Sequence, residues 1–227
     1  MIARNPLLQL LKHEAGDDRF LEIFEEFARI LRRSEALCEH AERNGPEDFA
    51  HLVIDGEADY VEEIIGASFV VLQTKIRRVT FAAERLRSQL LSQHSIDIPE
   101  LERGRAIKIG GSYKRKRASL IELIWDMGNY YKHRDEWPAA VWRNPRKRDR
   151  HGQSRKTRKS VQRLGIKMSS TGNMRAAYEF FGIDPYSDCE KLARQVQAWA
   201  EQLYELAQKQ LKAKAHTVPP VALKKRL

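Results

Sequence analysis

Apolar side chains recur every three or four residues along most of this chain, and this spacing is typical of amphipathic helices. The first such segment runs from about Asp17 to Arg43 and stops at Gly45-Pro46, since neither residue favours continuing a helix. It predicts a helix that buries one face. The apolar residues of that face are Phe20, Phe24, Phe27 and Leu31.

A second, longer helix is predicted from near Glu57 to Ile98-Pro99. Its length predicts that it is the spine on which the other helices pack. Its apolar stripe consists of Leu72, Ile76, Val79, Ala83, Leu86 and Leu90.

Two further long helices complete the pattern. Leu120, Ile124, Met127 and Tyr131 predict a central helix that ends around His133, and the last long helix is predicted to start at a Ser187-Asp188 cap. Between them a short helix is expected from Arg155 to Leu164. The glycine-containing stretch 104–112 predicts a loop with a short strand at Ile107-Lys108-Ile109. The last helix carries Leu192, Val196, Trp199, Leu203 and Leu206.

These elements predict an all-α fold, a four- to five-helix bundle with a long basic loop between the third and last long helices. Residues 1–227 are expected to form a single domain, with a basic loop insertion at 143–163 and a flexible basic tail at 214–227. The two cysteines are far apart in sequence, and no signal peptide or bilayer-spanning apolar run is present. We therefore expect a cytoplasmic protein with no membrane partner.

The net charge of +10 is concentrated in two segments. From Arg143 to Arg163 there are ten Lys/Arg and one acid, and 114–117 is a run of four cations. Such segregation is typical of a phosphate-binding surface and predicts a nucleic acid as the partner. The predicted nucleic-acid-binding residues are Lys114, Arg115, Lys116, Arg117, Arg143, Arg146, Lys147, Arg148, Arg150, Arg155, Lys156, Arg158 and Lys159.

The motif with possible chemistry is Gly128-Asn129-Tyr130-Tyr131-Lys132-His133-Arg134. Asn129 and His133 are four residues apart, so a helix projects both from one face, at its C-terminal end and beside the basic loop. A histidine can exchange protons with the 2′-hydroxyl or the leaving oxygen of RNA, while an amide and cations hold the phosphate. On spacing alone, a structural or solvated histidine is the commoner alternative.

A helical bundle with Asn-x-x-x-His at the end of a buried helix, followed by a basic loop, resembles the HEPN superfamily of prokaryotic toxin, abortive-infection and antiviral ribonucleases. The resemblance implies a metal-independent endoribonuclease that needs no cofactor and cuts RNA with the pattern Arg-Asn-x-x-x-His. It also implies a homodimer, with a cognate antitoxin or a defence complex as a further partner. Asn129 and His133 match the polar and histidine positions.

Gly128 stands where the family has its arginine. Without that guanidinium the phosphate loses a bidentate partner. Either Lys132, Arg134 or Arg143 substitutes from nearby, or the chain belongs to a catalytically silent branch that binds without cutting. The resemblance therefore assigns the catalytic roles to His133, Asn129, Lys132 and Arg134.

Two other functions are compatible with the same residues. In the first, the protein is a non-catalytic nucleic-acid-binding or adaptor protein, with RNA preferred to DNA, and the basic loop does the binding. In the second, the basic loop recognises an acidic protein. Asp135 and Glu136 are predicted to polarise His133 or to form a solvated helix end rather than a metal site.

Overall fold

The computed structural model describes residues 5–113, 118–136, 152–167 and 172–217. For residues 135, 152–155 and 215–217 it describes only the backbone. The described residues form seven helices of nine residues or more and no β-strand, which confirms the all-α bundle. The helices are α1 (Pro6–Gly16), α2 (Arg19–Asn44), α3 (Glu47–His94), α4 (Leu120–His133), α5 (Gly152–Gln162), α6 (Asn173–Phe181) and α7 (Glu190–Thr217).

Helix α3 is the spine of the bundle, as its length predicted. It packs against α1, α2, α4, α6 and α7, and all six residues of its predicted stripe are buried. The helix begins at Glu47 rather than near Glu57. The predicted start was wrong because the prediction followed the apolar residues that pack in the core, and residues 47–60 bury only Ala50.

The predicted stripes of α2, α4 and α7 face the core. Phe20, Phe24 and Leu31 are buried in α2, and Ile124 and Met127 are fully buried in α4. Helix α4 begins with a capping box, in which the Ser119 hydroxyl accepts from Glu122 N–H and the Glu122 carboxylate accepts from Ser119 N–H. Helix α7 begins at Glu190, two residues after the predicted cap.

Helices α3 and α4 approach each other closely at two glycines. A Cβ added at Gly66 would lie 2.0 Å from the Tyr131 ring, and one added at Gly128 would lie 2.9 Å from the Phe69 carbonyl oxygen. A side chain at Gly128 would push α4 away from α3, and one at Gly66 would displace the Tyr131 ring from the interface. The two glycines therefore set how deeply α4 packs onto the spine.

The predicted strand at Ile107–Ile109 is wrong. Arg103–Ala106 forms a single helical turn, and Ile107 N–H and Ile109 N–H donate to the carbonyls of Arg103 and Ala106. Because these backbone groups bond locally, they are not available to a neighbouring strand.

Part of the predicted basic loop is helical. Of segment 143–163, residues 143–151 lie outside the described residues, and α5 spans Gly152–Gln162, close to the short helix expected there. Of the predicted flexible tail, residues up to Thr217 belong to α7, and Lys214 donates a hydrogen bond to the Asp97 carbonyl. The tail prediction thus overlaps the end of α7 at 214–217, and residues 218–227 lie outside the described residues.

Helices α1 and α6 were not predicted. The Asn5 side chain caps α1 by accepting from Leu7 N–H and Leu8 N–H. The buried Glu62 carboxylate on α3 caps α6 by accepting from Met174 N–H at 2.8 Å and Arg175 N–H at 3.0 Å. Each helix is thus fixed at its N-terminus by a polar side chain.

Within the described residues, none of the helices combines the length and the apolar character needed to span a bilayer.

Candidate nucleic-acid interface

One face of α4 carries a row of polar residues. Glu122, Asp126, Asn129 and His133 follow one another at steps of four, three and four, so they lie on the same side of the helix. This row runs from the capped N-terminus of α4 to its C-terminal end. It therefore connects the two residues of the motif with the surface next to α5.

A cleft of about 460 Å³ opens along the first three residues of this row. Its walls come from α4, from the helical turn Arg103–Ala106 with Ile107, and from α5. The lining residues are Arg103, Gly104, Ile107, Glu122, Trp125, Asp126, Asn129 and Lys156.

Arg103 and Trp125 form one wall of the cleft as a stacked pair. The Arg103 guanidinium carbon lies 4.6 Å from the centroid of the Trp125 ring. A stacked guanidinium keeps its N–H donors in the plane, where a phosphate or a base edge can accept them, and its own face can stack on a base. The pair is therefore suited to a nucleotide.

The two acids of the cleft are used by the fold. Glu122 belongs to the capping box, and the buried Asp126 carboxylate accepts from the Thr157 hydroxyl at 3.4 Å and from Ser160. Burial raises the pKa of Asp126. The hydrogen bonds from Thr157 and Ser160 to Asp126 join α4 to α5 and so hold Lys156 at the cleft.

Asn129 is oriented by the spine. Its Oδ1 accepts from Gln73 Nε2 at 2.7 Å, and the same Gln73 nitrogen donates to the Trp125 carbonyl at 3.0 Å. Because Oδ1 is engaged, the Asn129 amide NH₂ is the group available to an acceptor in the cleft. Asn129 can therefore hold a phosphate or carbonyl oxygen.

His133 lies one turn beyond Asn129 and is half-exposed. Its Nδ1 lies 3.0 Å from Oε2 of Glu136, one of the two carboxylates predicted to polarise it. The side chain of Asp135 lies outside the described residues. Because Glu136 engages Nδ1, proton exchange with a substrate would use Nε2.

The two predicted substitutes for the missing arginine have different surroundings. Arg134 is paired with the Glu63 carboxylate and lies over the Tyr131 ring, 4.8 Å from its centroid. Partial burial lowers the pKa of Lys132, and the charge of Arg77 lowers it further. A bound anion would therefore favour the charged form of Lys132.

The position that the resemblance gives to arginine faces the interior. Gly128 is buried against Phe69 and Gln73 of α3, and even a Cβ would lie only 3.0 Å from that of Gln73. An arginine at this position would be directed into the spine rather than toward Asn129 and His133. The close packing of α4 on α3 therefore accounts for a glycine, rather than an arginine, at position 128.

The predicted basic residues fall into three groups. Lys156 and Lys159 are exposed on α5. Arg158 is buried, at 3 % exposure, so its predicted role on the binding surface is not supported in this conformation. The others lie outside the described residues or, for Arg155, have a side chain outside them. These are Lys114, Arg115, Lys116, Arg117, Arg143, Arg146, Lys147, Arg148, Arg150 and Arg155.

Sequence reasoning missed Arg103, Trp125, Gln73 and Arg77. Trp125 lies on α4 outside the predicted apolar stripe, and the other three belong to elements far from the motif in sequence. The spacing of Trp125 and Asn129, at four residues, was a signal that the two share a face. Nothing in the sequence pairs Arg103 with Trp125.

In comparisons with known proteins, no family model matches the chain, and no curated protein or solved structure matches it either.

Proposed function

We propose that this protein is an RNA-directed, HEPN-like helical protein that binds single-stranded RNA in the cleft between α4, α5 and Arg103. The observation that carries the proposal is the Arg103–Trp125 stack, in a cleft also lined by Asn129 and Lys156. Single-stranded RNA offers unstacked bases to such a platform, while its phosphates attract the cations beside it.

Binding is tested with a fluorescent single-stranded RNA and its DNA counterpart, using fluorescence anisotropy at fixed salt. We expect Arg103→Gln and Trp125→Leu each to weaken RNA binding by roughly five- to hundredfold, which corresponds to one stacked base. Circular dichroism melting of each variant separates lost binding from lost folding.

The matched control is a second stacked pair outside the cleft. The Arg85 guanidinium lies 5.6 Å from the centroid of the exposed Phe81 ring. Arg85→Gln and Phe81→Leu should leave RNA affinity unchanged. Equal losses in both pairs would mean that RNA binds by charge over the whole surface, and the cleft proposal would be wrong.

Metal-independent RNA cleavage is the second candidate function, favoured by the contact between His133 Nδ1 and Glu136. In this function His133 exchanges the proton, Asn129 holds the phosphate, and Lys132 supplies the charge that Gly128 cannot. The protein and its His133→Ala and Glu136→Gln variants are incubated with mixed RNA in EDTA. Cleavage products with 2′,3′-cyclic phosphate ends from the wild type, lost in His133→Ala and reduced in Glu136→Gln, are the expected result.

Binding and cleavage give separable outcomes. If RNA is bound in the cleft and neither the wild type nor His133→Ala cleaves it, the protein is a non-catalytic RNA-binding protein. If His133→Ala abolishes cleavage and leaves affinity within about twofold, both functions hold.

A further inference from the structure

The hairpin of α2 and α3 has the opposite charge to the chain as a whole. Residues 34–63 contain ten Asp/Glu and one arginine, whereas the full chain carries +10. We call residues 34–63 the acidic hairpin. Its two arms are antiparallel, since the Ser34 hydroxyl donates to Glu57 across them at 2.5 Å and Gly45-Pro46 joins them.

Large apolar side chains are exposed on the α3 arm of the acidic hairpin. Phe49, Leu52 and Tyr60 are 57 %, 73 % and 47 % exposed. At 100° per residue they fall within about 80° of one another around the helix, and they extend along about 16 Å of its length. They form an apolar row about three helical turns long, with Gly56 in its middle.

A row of carboxylates runs beside this apolar row. Asp48, Asp55 and Asp59 are exposed and are separated by seven and four residues, so they lie on one stripe of α3. The next residue on the stripe is Glu63, which accepts from the Tyr131 hydroxyl at 2.5 Å and pairs with Arg134. The carboxylate row therefore ends beside the C-terminus of α4.

We propose that the acidic hairpin docks a basic amphipathic helix of a partner protein. The apolar face of that helix covers Phe49, Leu52 and Tyr60, and its lysines or arginines pair with Asp55 and Asp59. Charge complementarity points to this partner: eight of the ten carboxylates of the acidic hairpin are exposed, and they repel a polyanion and attract a cationic helix. An exposed apolar row of three turns matches the anchors of a helix that docks by one face.

The acidic hairpin and the cleft are used by different ligands in this scheme. RNA is attracted to the cations of α5, and the partner helix is attracted to the carboxylates of α3. The docking proposal is therefore independent of the RNA-binding proposal, and either can be correct when the other is wrong.

The probe is a fluorescein-labelled lysine–leucine peptide of about four helical turns, with leucines at helical spacing, titrated with the full chain and followed by anisotropy. Because the chain as a whole is cationic, such a peptide is repelled elsewhere on average. We expect Asp55→Lys/Asp59→Lys and Phe49→Ser/Leu52→Ser each to weaken binding by at least about tenfold. All four residues are exposed, so the variants should keep the wild-type melting temperature.

Matched controls lie on the same helix outside the acidic hairpin. Phe81 and Glu84 are exposed on the other half of α3, and Phe81→Ser and Glu84→Lys should bind the peptide within about twofold of the wild type. A second control is a peptide of the same composition without helical spacing. It should bind at least about tenfold more weakly, because it cannot present one apolar face.

Three results would overturn the proposal. The first is no measurable binding of the helical peptide. The second is equal weakening by the control variants, or equal binding of the scrambled peptide, which would indicate unspecific charge attraction. The third is a homodimer, seen by sedimentation, that Phe49→Ser/Leu52→Ser dissociates, since the apolar row would then be covered by a second copy of this chain.

Discussion

Gly128 is the residue where packing and possible chemistry conflict. We predict that Gly128→Ala lowers the free energy of unfolding by about 1–3 kcal/mol, because the new methyl group lies within 2.9 Å of the Phe69 carbonyl and must push α4 away from α3. Urea denaturation followed by circular dichroism measures the change. Gly128→Arg should be more destabilising still and should not raise RNA cleavage above the wild-type level, because its side chain would be directed into the spine.

Gly104 is the matched control for this substitution. It lies in the helical turn Arg103–Ala106, and a Cβ there meets nothing within 4 Å. Gly104→Ala should leave stability unchanged or slightly raised, since alanine restricts the unfolded chain. A Gly128→Ala variant as stable as Gly104→Ala would mean that the two helices are not in close contact at this point.

Asp126 makes the stability of the bundle depend on pH. Burial raises its pKa above the ordinary value of 3.8. Its protonated form therefore favours folding, and this contribution is present below that ordinary value and is lost as pH rises through the folded-state pKa. We predict that the free energy of unfolding of Asp126→Asn, relative to that of the wild type, increases as the pH is raised from 4 to 7. Urea denaturation at each pH measures this difference.

The exposed Asp59 provides the comparison for Asp126. Asp59→Asn removes a charge from the surface of α3 without disturbing a buried contact, so its effect reports the general influence of one carboxylate. If Asp126→Asn and Asp59→Asn show the same change with pH, burial does not control the titration of Asp126.

Among the elements, α3 has two parts that differ in how many side chains they bury in the core. From Val61 to Leu90 most turns bury side chains in the core, whereas residues 51–60 bury none. We predict that backbone amides of 51–60 exchange with deuterium at least about tenfold faster than those of 70–85, because they open without exposing core. Hydrogen exchange with mass spectrometry measures this. Uniform protection along α3 would show that another part of the chain stabilises the acidic hairpin.

Elements were predictable from the sequence where one apolar stripe decides the structure. The stripes of α2, α4 and α7 and the C-terminal half of α3 could be read directly. The first ten residues of α3 could not, because their helix is continued from the packed half rather than specified by a buried face. Helices α1 and α6 are short, so apolar periodicity did not predict them. They are fixed at their N-termini by Asn5 and by Glu62, and Glu62 is a residue of another helix.

The candidate site was predictable only along α4. Asn129 and His133 share a face because of their spacing, and Lys156 was included in the basic segment. Arg103 and Gln73 come from other elements, and only tertiary packing brings them to Trp125 and Asn129. The burial of Arg158 was likewise invisible in a run of cations, since charge density does not show which face of α5 packs.

At the scale of the whole molecule, opposite charges occupy different parts of the surface. If RNA binding uses the cations of α5, Lys156→Gln/Lys159→Gln should flatten the slope of log affinity against log salt by about 1.4, since each phosphate contact contributes about 0.7 for single strands. Anisotropy titrations over a range of salt concentrations measure the slope. Lys191→Gln/Lys209→Gln, two exposed lysines on α7, should leave it unchanged.

Helix α3 also has a mechanical consequence. It is unbroken over 48 residues, about 70 Å, and Glu62 lies where the α3 arm of the acidic hairpin enters the core. A sideways force at Phe49 would therefore bend α3 near Glu62. The Glu62 carboxylate accepts hydrogen bonds from the first N–H groups of α6. Bending of the arm would thus be transmitted to the start of α6, where the Asn173 amide donates to the Tyr130 hydroxyl on α4.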